Sequence, residues 1–176
     1  MHQLILLRHG KAVRGTAELS DHDRALTADG RRTAAAMGAA MRRAGLIPDV
    51  ILVSAALRTQ QTLDALEPWE DRPNIETMPG LYMAGALQIR DILRDLPETV
   101  RSVLVIGHNP GIQELAQNLA GEAGSDPARP ALARLANEYP TAALAEFLIT
   151  TPWHKIGAAG AALERFLLPG DLLAGR

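Results

Sequence analysis

The segment LILLRHG, residues 4–10, joins four consecutive apolar residues to an arginine, a histidine and a glycine. Two later segments are built in the same way. The apolar run 50–53 (VILV) leads into Ser54 and then Arg58, and the run 103–106 (VLVI) leads into 107–111 (GHNPG). Short continuous apolar runs predict strands that are buried on both faces, as in a parallel sheet covered by helices.

Helical patterns fill the chain between these strands. We predict helices over 28–44, with Thr27 as N-cap, and over 56–66, 86–96 and 111–120. Segments 144–149 and 163–168 predict two further strands, an antiparallel pair at one edge, and 121–130 (GEAGSDPARP) predicts a loop. The alternation indicates an α/β fold of three layers (α/β/α), with a mostly parallel central sheet and helices on both faces, in a single domain over 1–176.

Composition narrows the classes of function. The 176 residues carry a net charge of −2, which gives no electrostatic case for nucleic-acid binding. The chain has no cysteine, so disulfides, thiolate-bound metal and a cysteine nucleophile are excluded. The N-terminal apolar run is too short for a signal peptide or a membrane span, so we expect no membrane contact and a cytoplasmic location.

The polar residues that follow the three strands predict an anion site. Ligands of open α/β sheets bind at the carboxyl ends of the strands, where Arg8, His9, Arg58 and His108 would converge. Helices begin directly after two of these ends, and the free N–H groups of their first turns favour an anion. Guanidinium groups bind phosphoryl oxygens in pairs and keep their charge, so Arg8 and Arg58 are candidates to hold a phosphoryl group.

Imidazole chemistry predicts what happens to that group. A neutral imidazole is a competent nucleophile and, with a pKa of about 6.5, a good leaving group in a second step. A protonated second imidazole would add a charge-assisted donor. No cluster of acidic residues follows the three strands, so we expect neither a metal ion nor another cofactor. Of the other residues, His2 and His154 are expected at the surface, and Trp153 in the core or at an edge.

These motifs and their order resemble the histidine phosphatase (phosphoglycerate mutase-like) superfamily, and within it the SixA-type phosphohistidine phosphatases. The resemblance rests on 8–10 (RHG), 21–30 (DHDRALTADG), 54–62 (SAALRTQQT) and 107–111 (GHNPG). Later landmarks are Leu81-Tyr82, Pro140-Thr141, Trp153 and 169–172 (PGDL), so the similarity covers nearly the whole chain. It implies that His9 is the phosphorylated nucleophile and that Arg8, Arg58 and His108 complete the phosphate pocket.

Other positions match the family less closely. Ala55 stands where proline is usual. Asp21 and Asp23 are candidate substrate-binding residues at the mouth of the pocket, or part of a solvated loop. Asn109 either faces the pocket as a substrate-binding residue or caps the following helix. The glutamate that acts as general acid in the mutases has no clear counterpart, although Glu76 lies in the right region of the chain and is a candidate.

The lack of a clear general acid affects which class of substrate we expect. An alkoxide leaving group has a pKa near that of water, about 15.7, and needs a proton, whereas imidazole protonated on its far nitrogen leaves as a base with a pKa of about 6.5. The short connections also leave no room for a lid domain. We therefore expect a phosphatase that dephosphorylates phosphohistidine in a protein, such as a histidine phosphotransfer domain in signal transduction. A small-molecule phosphomonoesterase acting on a phosphorylated metabolite is one alternative, and a non-catalytic phosphate- or phosphopeptide-binding module is another.

Overall fold

A computed structural model describes residues 1–121 and 130–174 of the chain. Its centre is one sheet of six strands: β1 (His2–Arg8), β2 (Val50–Ser54), β3 (Asn74–Met78), β4 (Ser102–Gly107), β5 (Leu144–Ile149) and β6 (Ala161–Leu167). Their spatial order is β3-β2-β4-β1-β5-β6. The first four neighbours in this order run parallel, and β5 runs antiparallel to both β1 and β6. The predicted α/β fold, with its antiparallel edge pair, is confirmed.

Helices cover both faces of the sheet. They are α1 (Ala28–Arg43), α2 (Leu57–Leu66), α3 (Ala86–Arg94), α4 (Gly111–Ala120), α5 (Pro130–Asn137) and α6 (Pro169–Ala174). Successive side chains of a strand point to opposite faces, so the central strands contribute side chains to two apolar clusters, one on each face of the sheet. The cluster under α1 and α2 takes from these strands Ile5, Leu7, Ile51, Val53, Leu104 and Ile106. The cluster under α3, α4 and α5 takes Leu4, Leu6, Val50, Leu52, Val103 and Val105.

The helix boundaries agree with the sequence pattern where capping chemistry is explicit. Thr27 is the N-cap of α1, and its Oγ1 accepts a hydrogen bond from the Gly30 N–H at 2.9 Å. That bond satisfies one of the N–H groups left free at a helix start. Helices α2, α3 and α4 begin and end within about two residues of the predicted limits.

Three elements were not predicted. Strand β3 is mostly exposed and polar at the sheet edge, so it lacks the apolar run that marks a buried strand. Helices α5 and α6 are short, and each begins at a proline. The predicted loop at 121–130 lies mostly outside the described residues, and Pro130 within it begins α5.

His2, which lies far from the strand ends that carry the candidate site, was expected at the surface, and this expectation is wrong. It is buried rather than exposed, with its ring centroid 4.7 Å from that of Trp153, which is itself fully buried as expected. The His2 ring nitrogens lie 3.0 Å from the Val100 carbonyl oxygen and 3.0 Å from a Glu98 carboxylate oxygen. These partners are about a hundred residues away in sequence, so the sequence pattern could not reveal them. None of the helices that the structure describes combines the length and apolar character needed to cross a membrane.

Candidate active site

The register of the parallel strands brings the two histidine motifs side by side. Arg8, the last residue of β1, pairs with Gly107, the last residue of β4. His9 and His108 therefore leave the sheet at the same level, and their ring centroids lie 5.3 Å apart. On the other side of β4, β2 ends at Ser54 and leads into α2, whose first turn carries Arg58. The structure thus brings Arg8, His9, Arg58 and His108 to one edge of the sheet.

The ring of His9 is held in one tautomer. Its Nδ1 lies 2.7 Å from the Gly10 carbonyl oxygen, which can only accept, so Nδ1 carries the proton and donates. Nε2 therefore keeps its lone pair, and it accepts from Nε of Arg58 at 3.3 Å. Burial, together with the charges of Arg58 and Arg8, lowers the pKa of His9 to about 4. At neutral pH, His9 is an uncharged imidazole whose Nε2 is unprotonated.

Gly10 allows this loop to sit close to the start of α1. A Cβ at this position would lie 2.7 Å from the carbonyl oxygen of Gly30, closer than such atoms approach. The Gly10 N–H donates to Thr62 Oγ1 of α2 at 3.0 Å, and this hydroxyl in turn donates to the Arg58 carbonyl oxygen. One threonine side chain therefore ties the His9 loop to the helix that carries Arg58.

Arg58 is almost completely buried, at 1% exposure, and each nitrogen of its guanidinium has a hydrogen-bond partner. Besides His9, it donates from Nη1 to the backbone oxygen of Asp21 at 2.6 Å and from Nη2 to the Asp21 carboxylate at 3.1 Å. Nη2 also lies 3.3 Å from Nδ1 of His108. A buried guanidinium is stable only when its charge and N–H groups are satisfied. Asp21 fixes one side of the group and leaves the other side directed at the two histidines.

Asp21 is the centre of a second network at the mouth of the site. Its Oδ2 accepts from the Tyr82 hydroxyl at 2.6 Å as well as from Arg58, and its Oδ1 accepts from Nε of Arg24 at 2.9 Å. The bond from Tyr82, followed by the interactions with Arg58 and Arg24, lowers the pKa of Asp21 to about 2. An ionised carboxylate repels a phosphoryl group. Its position therefore favours Asp21 as an anchor of Arg58 rather than the substrate-binding residue predicted from the sequence.

His108 is held in the opposite tautomer to His9. Arg58 can only donate, so Nδ1 of His108 accepts from it, and Nε2–H donates to Ser54 Oγ at 2.7 Å. Burial, and then the charge of Arg58, lowers the pKa of His108 to about 3. With this pKa, His108 is uncharged at neutral pH, and the charge-assisted donor considered from the sequence requires its protonation. A bound phosphoryl dianion would add negative charge beside the ring and raise the pKa of His108 from this low value.

The side chains of Arg8 and Asn109 share one backbone acceptor. Nη1 of Arg8 and Nδ2 of Asn109 donate to the carbonyl oxygen of Tyr139, at 2.8 and 3.1 Å. Three residues on, the Ala142 N–H donates to the carbonyl oxygens of Arg8 and His9 at 3.1 and 3.0 Å. Ala142 adopts a φ of 62°, a left-handed conformation that alanine rarely takes. The segment 139–142 therefore supports the residues that leave β1 and β4.

An open cavity of about 270 Å³ lies over these groups. Its lining includes all four converging residues together with Asp21 and Asn109. Lys11 and Arg24 add two cationic side chains, and Thr141 and Met83 complete the wall with Ala12. Among the described lining residues, four permanent cations face a single carboxylate. Such a cavity favours a small, multiply charged anion.

Two predicted site residues lie elsewhere. Asp23 is exposed and bonds to Ser20 in the adjacent turn, outside the cavity lining. Glu76 lies exposed in the middle of β3 and accepts a hydrogen bond from Asn74. Neither position supports the predicted role, in substrate binding for Asp23 or as general acid for Glu76. Two further groups contribute to the site but were not predicted. Arg24 lines the cavity. The Tyr139 carbonyl oxygen accepts from Arg8 and Asn109, and a backbone acceptor leaves no signature in the sequence.

Comparison with known proteins agrees with this geometry. A sequence profile of the histidine phosphatase superfamily (branch 1) matches residues 4–82, the part that contains the first three of the four motifs. A solved structure from Nakamurella multipartitia, assigned as a SixA phosphohistidine phosphatase, is 31% identical, with 96% of each chain covered and a TM-score of 0.81. The chain belongs to the histidine phosphatase superfamily.

Two further similar proteins extend the comparison. The protein histidine phosphatase SixA, solved with bound tungstate, is 26% identical, with 97% of this chain and 99% of that chain covered and a TM-score of 0.75. An uncharacterized chloroplastic protein of Arabidopsis thaliana is 31% identical over 129 residues, and the chain spans 59% of its length. The predictions of this superfamily and of a phosphatase are confirmed. The roles of individual residues and the substrate stay predictions.

No metal-binding arrangement is found in the described ranges, 1–121 and 130–174. Within them, no group of three or more His, Asp or Glu side chains is placed to hold a metal ion. The described lining of the cavity offers guanidinium, imidazole, ammonium, amide and hydroxyl groups to a phosphoryl oxygen. All of these can donate a hydrogen bond in at least one protonation state or orientation.

Proposed function

We propose that this histidine phosphatase removes the phosphoryl group from phosphohistidine in a protein, through a phosphoenzyme intermediate on His9. The observation that carries the proposal is the fixed tautomer of His9. Its Nδ1–H is committed to the Gly10 carbonyl oxygen, and its pKa of about 4 keeps Nε2 unprotonated at neutral pH. Nε2 is then the ring atom available for attack on phosphorus.

The residues around His9 fit the needs of the transferring group. Arg58 and Arg8 flank the nucleophile and would neutralise charge on the phosphoryl oxygens in the transition state. Nε of Arg58 would move its hydrogen bond from Nε2 of His9 to a phosphoryl oxygen when substrate binds, which frees the lone pair. In the second step, water attacks the phosphorus of phospho-His9, and inorganic phosphate and free imidazole result.

The pKa of the leaving group is the reason for proposing a substrate with a phosphorus–nitrogen bond. Imidazole protonated on its far nitrogen leaves as a neutral base with a pKa of about 6.5, whereas an alkoxide has a pKa near 15.7. Glu76, the candidate acid, lies outside the cavity lining. A site whose described lining offers no carboxylic acid to the leaving group favours phosphohistidine over the alkyl phosphates of sugars and serine.

A protein substrate fits the shape of the site. The cavity is open rather than enclosed, and it is lined directly by loop residues such as Lys11 and Met83. The opening of such a cavity is accessible to a phosphorylated side chain on the surface of another domain. We propose a histidine phosphotransfer domain, or a similar phosphorylated protein, as the partner.

Two peptides of one sequence, carrying either phosphohistidine or phosphoserine, test the proposal when given to the wild-type, His9→Ala and Glu76→Gln proteins. We expect the phosphohistidine peptide to be hydrolysed with a kcat/KM at least about 10²-fold higher. His9→Ala should lower that rate by at least about 10³-fold. Glu76→Gln is the matched control and should match wild type. Equal rates on the two peptides, or an active His9→Ala protein, would contradict the proposal.

A further inference from the structure

We propose that this site also hydrolyses acyl phosphates, the mixed anhydrides of phosphoric and carboxylic acids, because no carboxyl or imidazole group among the described residues that line its cavity is free to protonate a leaving group. The inference rests on the phosphoenzyme chemistry proposed for His9. It extends that chemistry from the phosphorus–nitrogen bond to a second class of donor, which is defined by the leaving group rather than by the identity of a partner protein.

Asp21, the carboxylate of the cavity lining, is committed to other partners. Both of its side-chain oxygens accept hydrogen bonds, one from Arg24 and one from Arg58 and Tyr82. A carboxylic acid donates a proton only after it has bound one, and protonation here would weaken three bonds at once. With its pKa lowered to about 2, chiefly by the Tyr82 hydroxyl, Asp21 has no proton to give at neutral pH.

The neutral donors near the cavity are also engaged. The Tyr82 hydroxyl already donates to Asp21 at 2.6 Å, and this bond raises the pKa of Tyr82. The proton on Nε2 of His108 faces Ser54, while Nδ1 of the same ring accepts from Arg58. The single proton of His9 is held by the Gly10 carbonyl oxygen. None of these three groups presents a spare acidic proton to the cavity.

The remaining polar groups of the wall supply charge or hydrogen bonds. Guanidinium groups do not deprotonate in proteins, so Arg8 and Arg24 act as fixed cations. Lys11 contributes a solvated ammonium at the mouth. These cations stabilise a leaving anion by attraction, but a leaving group that is strongly basic still needs a proton. The site therefore selects donors whose leaving group is stable without one.

A carboxylate meets this condition better than imidazole does. Carboxylic acids have pKa values of about 4, phenols about 10 and alcohols near 15.7. In the first step Nε2 of His9 attacks phosphorus, the bond from phosphorus to the acyl oxygen breaks, and its electron pair leaves on the carboxylate. In the second step water attacks phospho-His9, the phosphorus–nitrogen bond breaks, its electron pair returns to Nε2, and the proton of water passes to the released phosphate.

Four small donors that share the phosphoryl group test the inference at neutral pH: acetyl phosphate, phosphoramidate, phenyl phosphate and glycerol phosphate. For the full-length wild-type protein we expect kcat/KM for acetyl phosphate to exceed that for glycerol phosphate by at least about 10²-fold. The value for phosphoramidate should be within about tenfold of that for acetyl phosphate, and phenyl phosphate should fall in between. The His9→Ala protein gives the spontaneous hydrolysis of acetyl phosphate, and the Glu76→Gln protein should match wild type.

The outcomes separate this inference from the proposed function. If phosphoramidate is hydrolysed but acetyl phosphate is no faster than with the His9→Ala protein, the acyl phosphate inference is overturned and the proposed function stands. If glycerol phosphate is hydrolysed as fast as acetyl phosphate, an acid operates in the site and the inference is likewise overturned. If no donor is hydrolysed above the His9→Ala level, the proposed function fails and the inference falls with it.

Discussion

Acidification from pH 7 to pH 5 should destabilise the folded chain through His9. Its pKa is about 4 in the folded state, against about 6.5 for an unfolded histidine. Between these values the unfolded chain binds a proton that the folded chain does not, so the free energy of unfolding decreases as the pH falls below 6.5. At pH 5 the difference amounts to roughly 1.5 pH units at about 1.4 kcal/mol each, or about 2 kcal/mol. His108, with a pKa of about 3, adds a similar amount in the same window.

Urea denaturation at pH 7, 6 and 5 at constant ionic strength measures this loss. The His9→Gln variant lacks the titrating ring, so its stability should fall by about 2 kcal/mol less than that of wild type between pH 7 and pH 5. Asp21 does not interfere, because its pKa of about 2 places its contribution below this window. Equal losses in the two proteins would refute the reasoning, since they would mean that folding does not disfavour a proton on His9.

Three further substitutions test separate parts of the site. Arg58→Lys should lower kcat/KM for a phosphohistidine peptide by at least about 10²-fold, because an ammonium cannot reproduce the guanidinium fork; a smaller loss in steady-state kinetics would contradict the role of the fork. Tyr82→Phe removes the bond of 2.6 Å to Asp21 and should raise the pKa of that carboxyl, which NMR titration can follow; an unchanged pKa would remove Tyr82 from the network. Gly111→Ala would place a Cβ against the backbone carbonyl oxygen of Ala84, closer than such atoms approach, and should lower the free energy of unfolding by about 1–3 kcal/mol in chemical denaturation. The added Cβ of Gly80→Ala has no neighbour within 4 Å, so this control should lose less, and equal losses would contradict the argument.

The positions of most strands, and the convergence of the site residues at one edge of the sheet, could be predicted from local sequence. The runs before Arg8 and His108 are apolar and continuous because their strands are buried on both faces, and such runs can be recognised without tertiary information. The parallel arrangement then places the residues after them at one edge, as the pairing of Arg8 with Gly107 shows.

The rest of the site depends on contacts between residues far apart in the chain. Asp21 bonds to Arg58 and Tyr82, which are 37 and 61 residues away, so the sequence alone could not separate an anchor from a solvated loop residue. Glu76 lies in the expected region of the chain, but its strand pairs at the edge of the sheet and keeps it outside the cavity. The tautomers of the two histidines follow from partners that only the folded chain defines.

The central claim is that the phosphoryl group passes through Nε2 of His9. Rapid-quench mixing of the enzyme with a protein that carries labelled phosphohistidine, followed by peptide mapping, tests it directly. We predict an acid-labile, alkali-stable label on the peptide that contains His9, formed and lost at rates that match turnover, and no label in the His9→Ala protein. Label on any other residue, or undiminished turnover by His9→Ala, would contradict the account.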